Sequence, residues 1–217
     1  MKLKLHILPE CQKKLWQKLS DTPKNFVLYG GTALALRLGH RQSIDFDFFS
    51  SDSFNPEDLY KSISYLQGAE KSQIGKNTLT CLIKKQNQTV KVSFFGGLNF
   101  ARLLSPDLLS DPNIAVASLA DLSATKIKVI QDRAEIKDYI DIAELLKYFS
   151  LEQMLANAMA VFGIEFNPLL SLKALTFYQD GNLPQLNEKI KQLLLKAANQ
   201  VNLSKLPTIN IEANRLI

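Results

Sequence analysis

Residues 28–50 read LYGGTALALRLGHRQSIDFDFFS, and the fold of the chain is decided by how this stretch is parsed. It opens behind a short apolar, β-favouring run at 25–29 and passes at once into a glycine pair. Residues 32–38 are rich in Ala and Leu, the composition of a buried helix, which Thr32 is placed to cap. Gly39 follows where a left-handed C-cap is expected. Residues 43–49, SIDFDFF, then alternate with period two. On a strand this points Ile44, Phe46 and Phe48 one way and Asp45 and Asp47 the other.

A chemical proposal follows from that order. A glycine pair after a strand lets backbone approach a phosphate closely, since no Cβ intervenes. The helix behind it presents unpaired N–H groups at its positive end, a seat for polyphosphate, to which Thr32 adds a hydroxyl. Asp45 and Asp47, two apart on one strand face, repel each other unless a cation lies between them. Hard oxygen ligands of this kind suit Mg²⁺, which can also bridge to nucleotide phosphates. Taken singly these are weak signals. A Gly-Gly pair is most often a turn, and D-x-D on a strand is most often a solvated edge. The interval from Gly31 to Asp45, however, is just long enough for one helix and a return strand, which brings the two halves to the same end of a sheet.

Outward from this stretch, residues 9–19 form an amphipathic helix candidate with Leu15, Trp16 and Leu19 on one side, and 56–66 another with Pro56 in its first turn. Residues 78–84 and 89–95 read as strands separated by a polar turn at 85–88. From about residue 118 the pattern is helical, with segments at 118–132, 135–148, 151–161, 168–177 and 185–198. The expected class is α+β: a mixed sheet with flanking helices in residues 1–113, then a mostly helical half, 114–217, completing a cleft.

The 217 residues are 46% hydrophobic and 22% charged, which fits a globular chain and excludes a disordered class. No apolar run approaches the roughly 20 residues of a membrane span. The first residues, MKLKLHILPECQKKLW, lack the apolar region of a signal peptide, so cytoplasmic residence is the expectation. Two cysteines, Cys11 and Cys81, make neither a disulfide framework nor a metal knuckle, and two histidines exclude a histidine-rich metal site. A net charge of +5 favours anionic partners such as nucleotide or RNA, although no basic block marks a nucleic-acid arm.

The later helices carry a second constellation. At 100° per residue Lys126 shares a face with Leu119, Leu122, Ile130 and Arg133, while on the next helix Asp138 and Asp141 lie one turn apart beside Ile142 and Leu145. Cations on an apolar face are costly to bury alone. They are explained either by an interhelical salt-bridge set with Asp138 and Asp141, or by a phosphate-holding cleft with Lys126 and Asp138 as its functional pair.

Both blocks resemble one known family. G-G-T, a helix and R-x-S-x-D-x-D-F at 41–48, followed by K-x₆-R and K-D-x-x-D within residues 121–146, are similar to the AbiEii/AbiGii toxin nucleotidyltransferases of the polymerase-β-like superfamily. The resemblance implies a nucleotidyltransferase-like fold and transfer of an NMP from an NTP to an acceptor hydroxyl. The acceptor would include a tRNA 3′ end or other RNA, and the protein would be the toxin of a toxin–antitoxin pair with a cognate antitoxin. It assigns Asp45 and Asp47 to Mg²⁺ and catalysis. Gly30, Gly31, Thr32, Arg41, Ser43, Lys126 and Arg133 fall to the nucleotide, and Lys126 and Asp138 fall to catalysis too, Asp138 as the group that orients or deprotonates the acceptor. His40 reads as a surface turn residue.

One position departs from the pattern. Superfamily catalysts carry a third carboxylate on a neighbouring strand, where residues 89–96, TVKVSFFG, offer Ser93 instead. Two other readings therefore stay open: a nucleotide-binding module or regulatory subunit without transfer chemistry, and a nucleotidyltransferase acting on a protein or a small molecule.

Overall fold

The strand pairing is organised by the alternating stretch. In the computed structural model, which describes residues 3–85 and 88–211, β1 (Val27–Tyr29) enters α2 (Gly30–Leu38) and returns as β2 (Asp45–Phe49). Earlier in the chain lies α1 (Glu10–Trp16). β1 and β2 pair antiparallel, Val27 opposite Phe49 and Tyr29 opposite Asp47. After α3 (Pro56–Ser62), the strands β3 (Glu70–Gly75), β4 (Thr78–Lys85) and β5 (Gln88–Phe95) form an antiparallel meander, and β5 joins β2 in parallel. β6 (Asp107–Leu108) and β7 (Ala115–Val116) complete the sheet on the other side, β7 parallel to β1. Among the described residues the order is β3-β4-β5-β2-β1-β7-β6. This mixed sheet with helices is the expected α+β class.

One sheet face is wholly apolar. Phe46 and Phe48 of β2, Val92 and Phe94 of β5, and Leu79 and Cys81 of β4 have at most traces of exposure. Phe48 stacks on Phe94 at 5.4 Å, and Trp16 of α1 lies 6.3 Å from Phe46. Each buried ring contributes roughly 1.5–3 kcal/mol, so this face dominates the stability of the sheet. Burial also raises the Cys81 thiol to about 11, as befits a packed rather than a reactive sulfur.

Several local expectations change. α2 begins at Gly30 with Tyr29 as its N-cap residue, because Gly30 at φ +73° turns the chain directly from strand to helix. Thr32 therefore lies within the first turn and does not cap it. Gly39 closes the helix at φ +74°. Ile44 stands before β2 and is half exposed. β3 was not expected, since every residue of EKSQIG is exposed and the strand lies at the sheet edge. β6 and β7 are two residues each, below the length at which alternation is readable. The turn expected at 85–88 includes residues 86 and 87, which lie outside the described residues.

The described residues divide into two compact units: one holds those up to Asn99 together with Ser105–Ser118, the other Phe100–Leu104 and the described residues from Leu119. Residues 114–118 thus belong with the sheet, because β7 is hydrogen-bonded to β1. The second unit is helical. It contains α4 (Leu119–Val129), α5 (Ile136–Leu145), α6 (Leu151–Phe162), α7 (Pro168–Thr176) and α8 (Glu188–Gln200). Side chains of Ser150, Asn167 and Asn187 cap α6, α7 and α8 by accepting from Gln153, Leu169 and Lys189 N–H groups. α4 packs against both α5 and α6. No helix among the described residues is long and apolar enough to cross a membrane.

Candidate active site

The glycine turn and the acidic strand are tied together by side chains. A Cβ on Gly30 would lie 2.6 Å from Asp47 Oδ2, and one on Gly31 would lie 2.6 Å from Arg41 Nη2 and 3.6 Å from Ser43 Oγ. The two missing side chains are therefore the space that Asp47 and Arg41 occupy. Thr32, buried in the first turn of α2, has its Oγ1 2.8 Å from Ser43 Oγ and donates to the carbonyl oxygen of Asp45. Its hydroxyl locks the start of α2 to the entry of β2. Arg41 donates from Nη1 to the Gln42 carbonyl at 2.9 Å. Gly30, Gly31, Thr32, Arg41, Ser43, Asp45 and Asp47 thus converge on one end of the sheet.

Asp45 and Asp47 share the face opposite the apolar one, and both are half-buried. The in-register parallel pairing sets Asp45 beside Lys91 and Asp47 beside Ser93. One strand further out, Leu82 stands opposite Lys91 and Thr80 opposite Ser93. Ser93 and Thr80 are buried, so the strand position next to Asp47 carries a hydroxyl where a third acid would stand. Lys91 Nζ is 3.3 Å from Asp45 Oδ2, with the two side chains 42% and 28% exposed. Nothing in the composition or periodicity signalled this ion pair. Its basis is the β2–β5 register, which only the folded sheet defines.

Among the described residues no group of three His, Cys, Asp or Glu side chains could hold a metal. Two carboxylates on one strand face, beside a helix N-terminus, nevertheless fit a Mg²⁺ ion, which characteristically takes one or two protein carboxylates and completes its shell with water and substrate phosphates. The donor set fits one such ion better than two.

In the helical unit, Lys126 of α4 reaches both acids of α5, at 2.7 Å from Asp138 Oδ1 and 2.7 Å from Asp141 Oδ2. Arg133 adds Nε to Asp138 Oδ2 at 2.8 Å and Nη2 to Oδ1 at 3.1 Å. The side chains of Asp138 and Asp141 have no exposure, that of Lys126 6%, and that of Arg133 41%. Burial alone would raise the Asp138 carboxyl, but the Arg133 hydrogen bonds and the Lys126 charge together hold it below the ordinary carboxylate value. A carboxylate held this way is a poor proton acceptor, whereas it fixes the two cations firmly. Asp121, absent from the sequence-based candidates, is buried in the first turn of α4, where its two oxygens accept from the N–H groups of Leu103 and Leu104. Its only signal was an acid at a helix start.

The chain is similar to known proteins in sequence and in fold. An uncharacterised protein of Aquifex aeolicus (strain VF5) is 29% identical over 164 residues, 72% of this chain and 75% of that protein. The fold is similar to that of MenT4, a nucleotidyltransferase toxin from Mycobacterium tuberculosis H37Rv, with a TM-score of 0.61 at 16% identity over 89% of this chain and 83% of the other. It is also similar to a nucleotidyltransferase structure from H. pylori, with a TM-score of 0.56 at 18% identity over 87% and 90% of the two chains. The family model "Nucleotidyl transferase AbiEii toxin, Type IV TA system" matches residues 14–208, and the chain belongs to this family of nucleotidyltransferase toxins.

Proposed function

We propose that this protein transfers a nucleoside monophosphate from an NTP to an acceptor hydroxyl, with Mg²⁺ held by Asp45 and Asp47. The observation that carries this reading is the junction of the glycine turn with the acid pair, made by Thr32 on Ser43 and Asp45 and by Asp47 against Gly30. A phosphate seat and a cation seat at that junction suit a triphosphate, which needs both. The N–H groups at the start of α2 would hold the triphosphate, with Arg41 beside Gly31 as a cationic clamp and Ser43 keeping Thr32 in place. Bound Mg²⁺ would offset charge as the leaving pyrophosphate separates. The acceptor oxygen bonds to the α-phosphorus as the α–β bridging bond breaks, pyrophosphate leaving and the hydroxyl proton passing to solvent water. In the helical unit, Asp138 acts through Lys126 and Arg133 by fixing their charges, and half-exposed Arg133 is the member suited to an anion. The proposed acceptor is RNA, including a tRNA 3′ end, in keeping with the net positive charge. The setting is a cytoplasmic toxin with a cognate antitoxin.

A second reading, nucleotide binding without transfer, is favoured by one observation: the hydroxyl of Ser93 beside Asp47. Incubation with each α-labelled NTP, Mg²⁺ and total cellular RNA separates the two. Labelled RNA that is lost with Asp45→Ala supports transfer to RNA, and labelled protein moves the acceptor. Asp45-dependent NTP binding with no labelled product supports the binding module.

A further inference from the structure

Lys91 is a cation paired directly with one acid of the proposed metal seat, and its surroundings define what it can do. Among the described residues Asp45 is its only ionic partner, at 3.3 Å. On its other flank stands Leu82. The next acid along that row, Glu70, is engaged by Lys84 at 2.6 Å. Apart from Asp47, which belongs to the same proposed metal seat, the acid along this row is thus already engaged when Asp45 is taken by another cation. The pair is also partly solvated on both sides, and such pairs are weak enough to exchange. A divalent ion on Asp45 would repel the ammonium at this range, unless an anion arrives with it.

We propose that Lys91 couples metal and triphosphate binding: it is the resting counter-ion of Asp45, and it turns to a phosphate oxygen when a divalent cation replaces it. This rests on the metal-and-nucleotide reading of the Asp45–Asp47 site. Its consequence is thermodynamic. Metal alone must displace Lys91 and gains no new partner for it, whereas metal with a triphosphate restores a partner. The site thus discriminates against the bare ion and favours the metal–nucleotide complex, and by reciprocity the nucleotide tightens the metal by the same factor. A lysine also lends a fixed positive charge to a site with only two acids, where a third carboxylate would draw in a second ion.

The experiment measures Mn²⁺ binding by titration calorimetry, alone and with a non-hydrolysable NTP analogue, for the parent, Lys91→Met, Lys91→Arg and Asp45→Asn. Lys91→Met is expected to bind Mn²⁺ alone several-fold more tightly and the analogue in the presence of Mn²⁺ about tenfold more weakly, so that the coupling factor shrinks. Lys91→Arg is expected to keep most of the coupling. Lys91 is half exposed, so circular dichroism should find all the variants folded, and Lys91→Gln replaces the methionine variant if that one aggregates. If Asp45→Asn binds Mn²⁺ as the parent does, the metal reading itself fails and takes the coupling with it. If Mn²⁺ binding depends on Asp45 but Lys91→Met leaves both affinities unchanged, or weakens both equally, the inference about Lys91 is overturned and the metal site stands.

Discussion

Asp47 fills the place of the side chain that Gly30 lacks, its Oδ2 lying 2.6 Å from where a Cβ on Gly30 would sit. Two residues on different elements thus share one volume, and the start of α2 is shaped by the acid on β2. Gly30→Ala should suffer twice. The left-handed conformation at φ +73° costs a non-glycine residue about 1–2 kcal/mol, and the methyl collides with the carboxylate. Gly39→Ala is the matched control. It shares the backbone penalty at φ +74°, but its Cβ meets the flexible Lys4 side chain. Thermal melts should show both variants destabilised, while nucleotide titrations should show metal-dependent binding lost in Gly30→Ala alone. Equal binding by the two would detach the glycine turn from the ligand.

The acids of β2 predict a different pattern. Asp45 and Asp47 are half-buried and stand away from the aromatic face that stabilises the sheet. Asp45→Ala and Asp47→Ala should therefore leave the chain folded, with at most a modest fall in melting temperature. Transfer rate should fall at least about a hundredfold, because the metal supplies several kcal/mol of charge stabilisation. Initial rates with labelled NTP across a Mg²⁺ titration make the comparison, and full activity in both variants would remove this site.

Much of this arrangement was legible in the chain. Period-two alternation over SIDFDFF put two acids on one face and phenylalanines on the other, because a pleated strand leaves no other choice. The 3.6-residue period put Lys126 on the apolar face of one helix and Asp138 and Asp141 on one side of the next, which left a salt-bridge set and a phosphate cleft both open, and the folded chain joins all three. Depth was less readable. A helical face does not say how far it sinks, and Asp138 and Asp141 are completely buried. The Lys91–Asp45 pair was hidden because it depends on strand register across a long loop. β3 was hidden because an edge strand need not bury anything.

Burial makes Asp138 a test of what the helical cluster is for. Asp138→Asn keeps the shape but leaves Lys126 and Arg133 short of one negative charge. Breaking a buried pair from one side costs about 3–5 kcal/mol. The sign of the pH dependence follows from the lowered carboxyl. Its stabilisation is fully present above the unfolded value, about 3.9, and is lost as pH falls through the lower folded value. Denaturant melts should show a large parent–variant gap at pH 7 that narrows below about pH 4. A gap unchanged down to pH 2 would mean the ion pairs do not set stability. A stable Asn variant whose turnover alone collapses would instead make Asp138 a catalytic base.

Ser93 is the position where one substitution tests the acid count of the site. It is buried directly beside Asp47 in the parallel register, with Thr80 on its far side. A carboxylate there would face Asp47 at cross-strand distance, where like charges repel and each raises the pKa of the other. Without metal, Ser93→Asp should therefore melt below the parent, most clearly at neutral pH, where both acids are ionised. Added Mg²⁺ reverses the balance, since a third hard oxygen improves the cation seat. A ligand that binds only the folded state raises stability in proportion to the logarithm of its occupancy. The Mg²⁺-induced rise in melting temperature should thus be larger in Ser93→Asp than in the parent, and Asp45→Ala in the same background should abolish it. Transfer rate should stay flat or fall, because Lys91 and the two native acids already balance the site. A large gain in rate would instead mark the native protein as an enzyme held back by the missing acid. Identical Mg²⁺ shifts in the two proteins would show that position 93 does not face the metal.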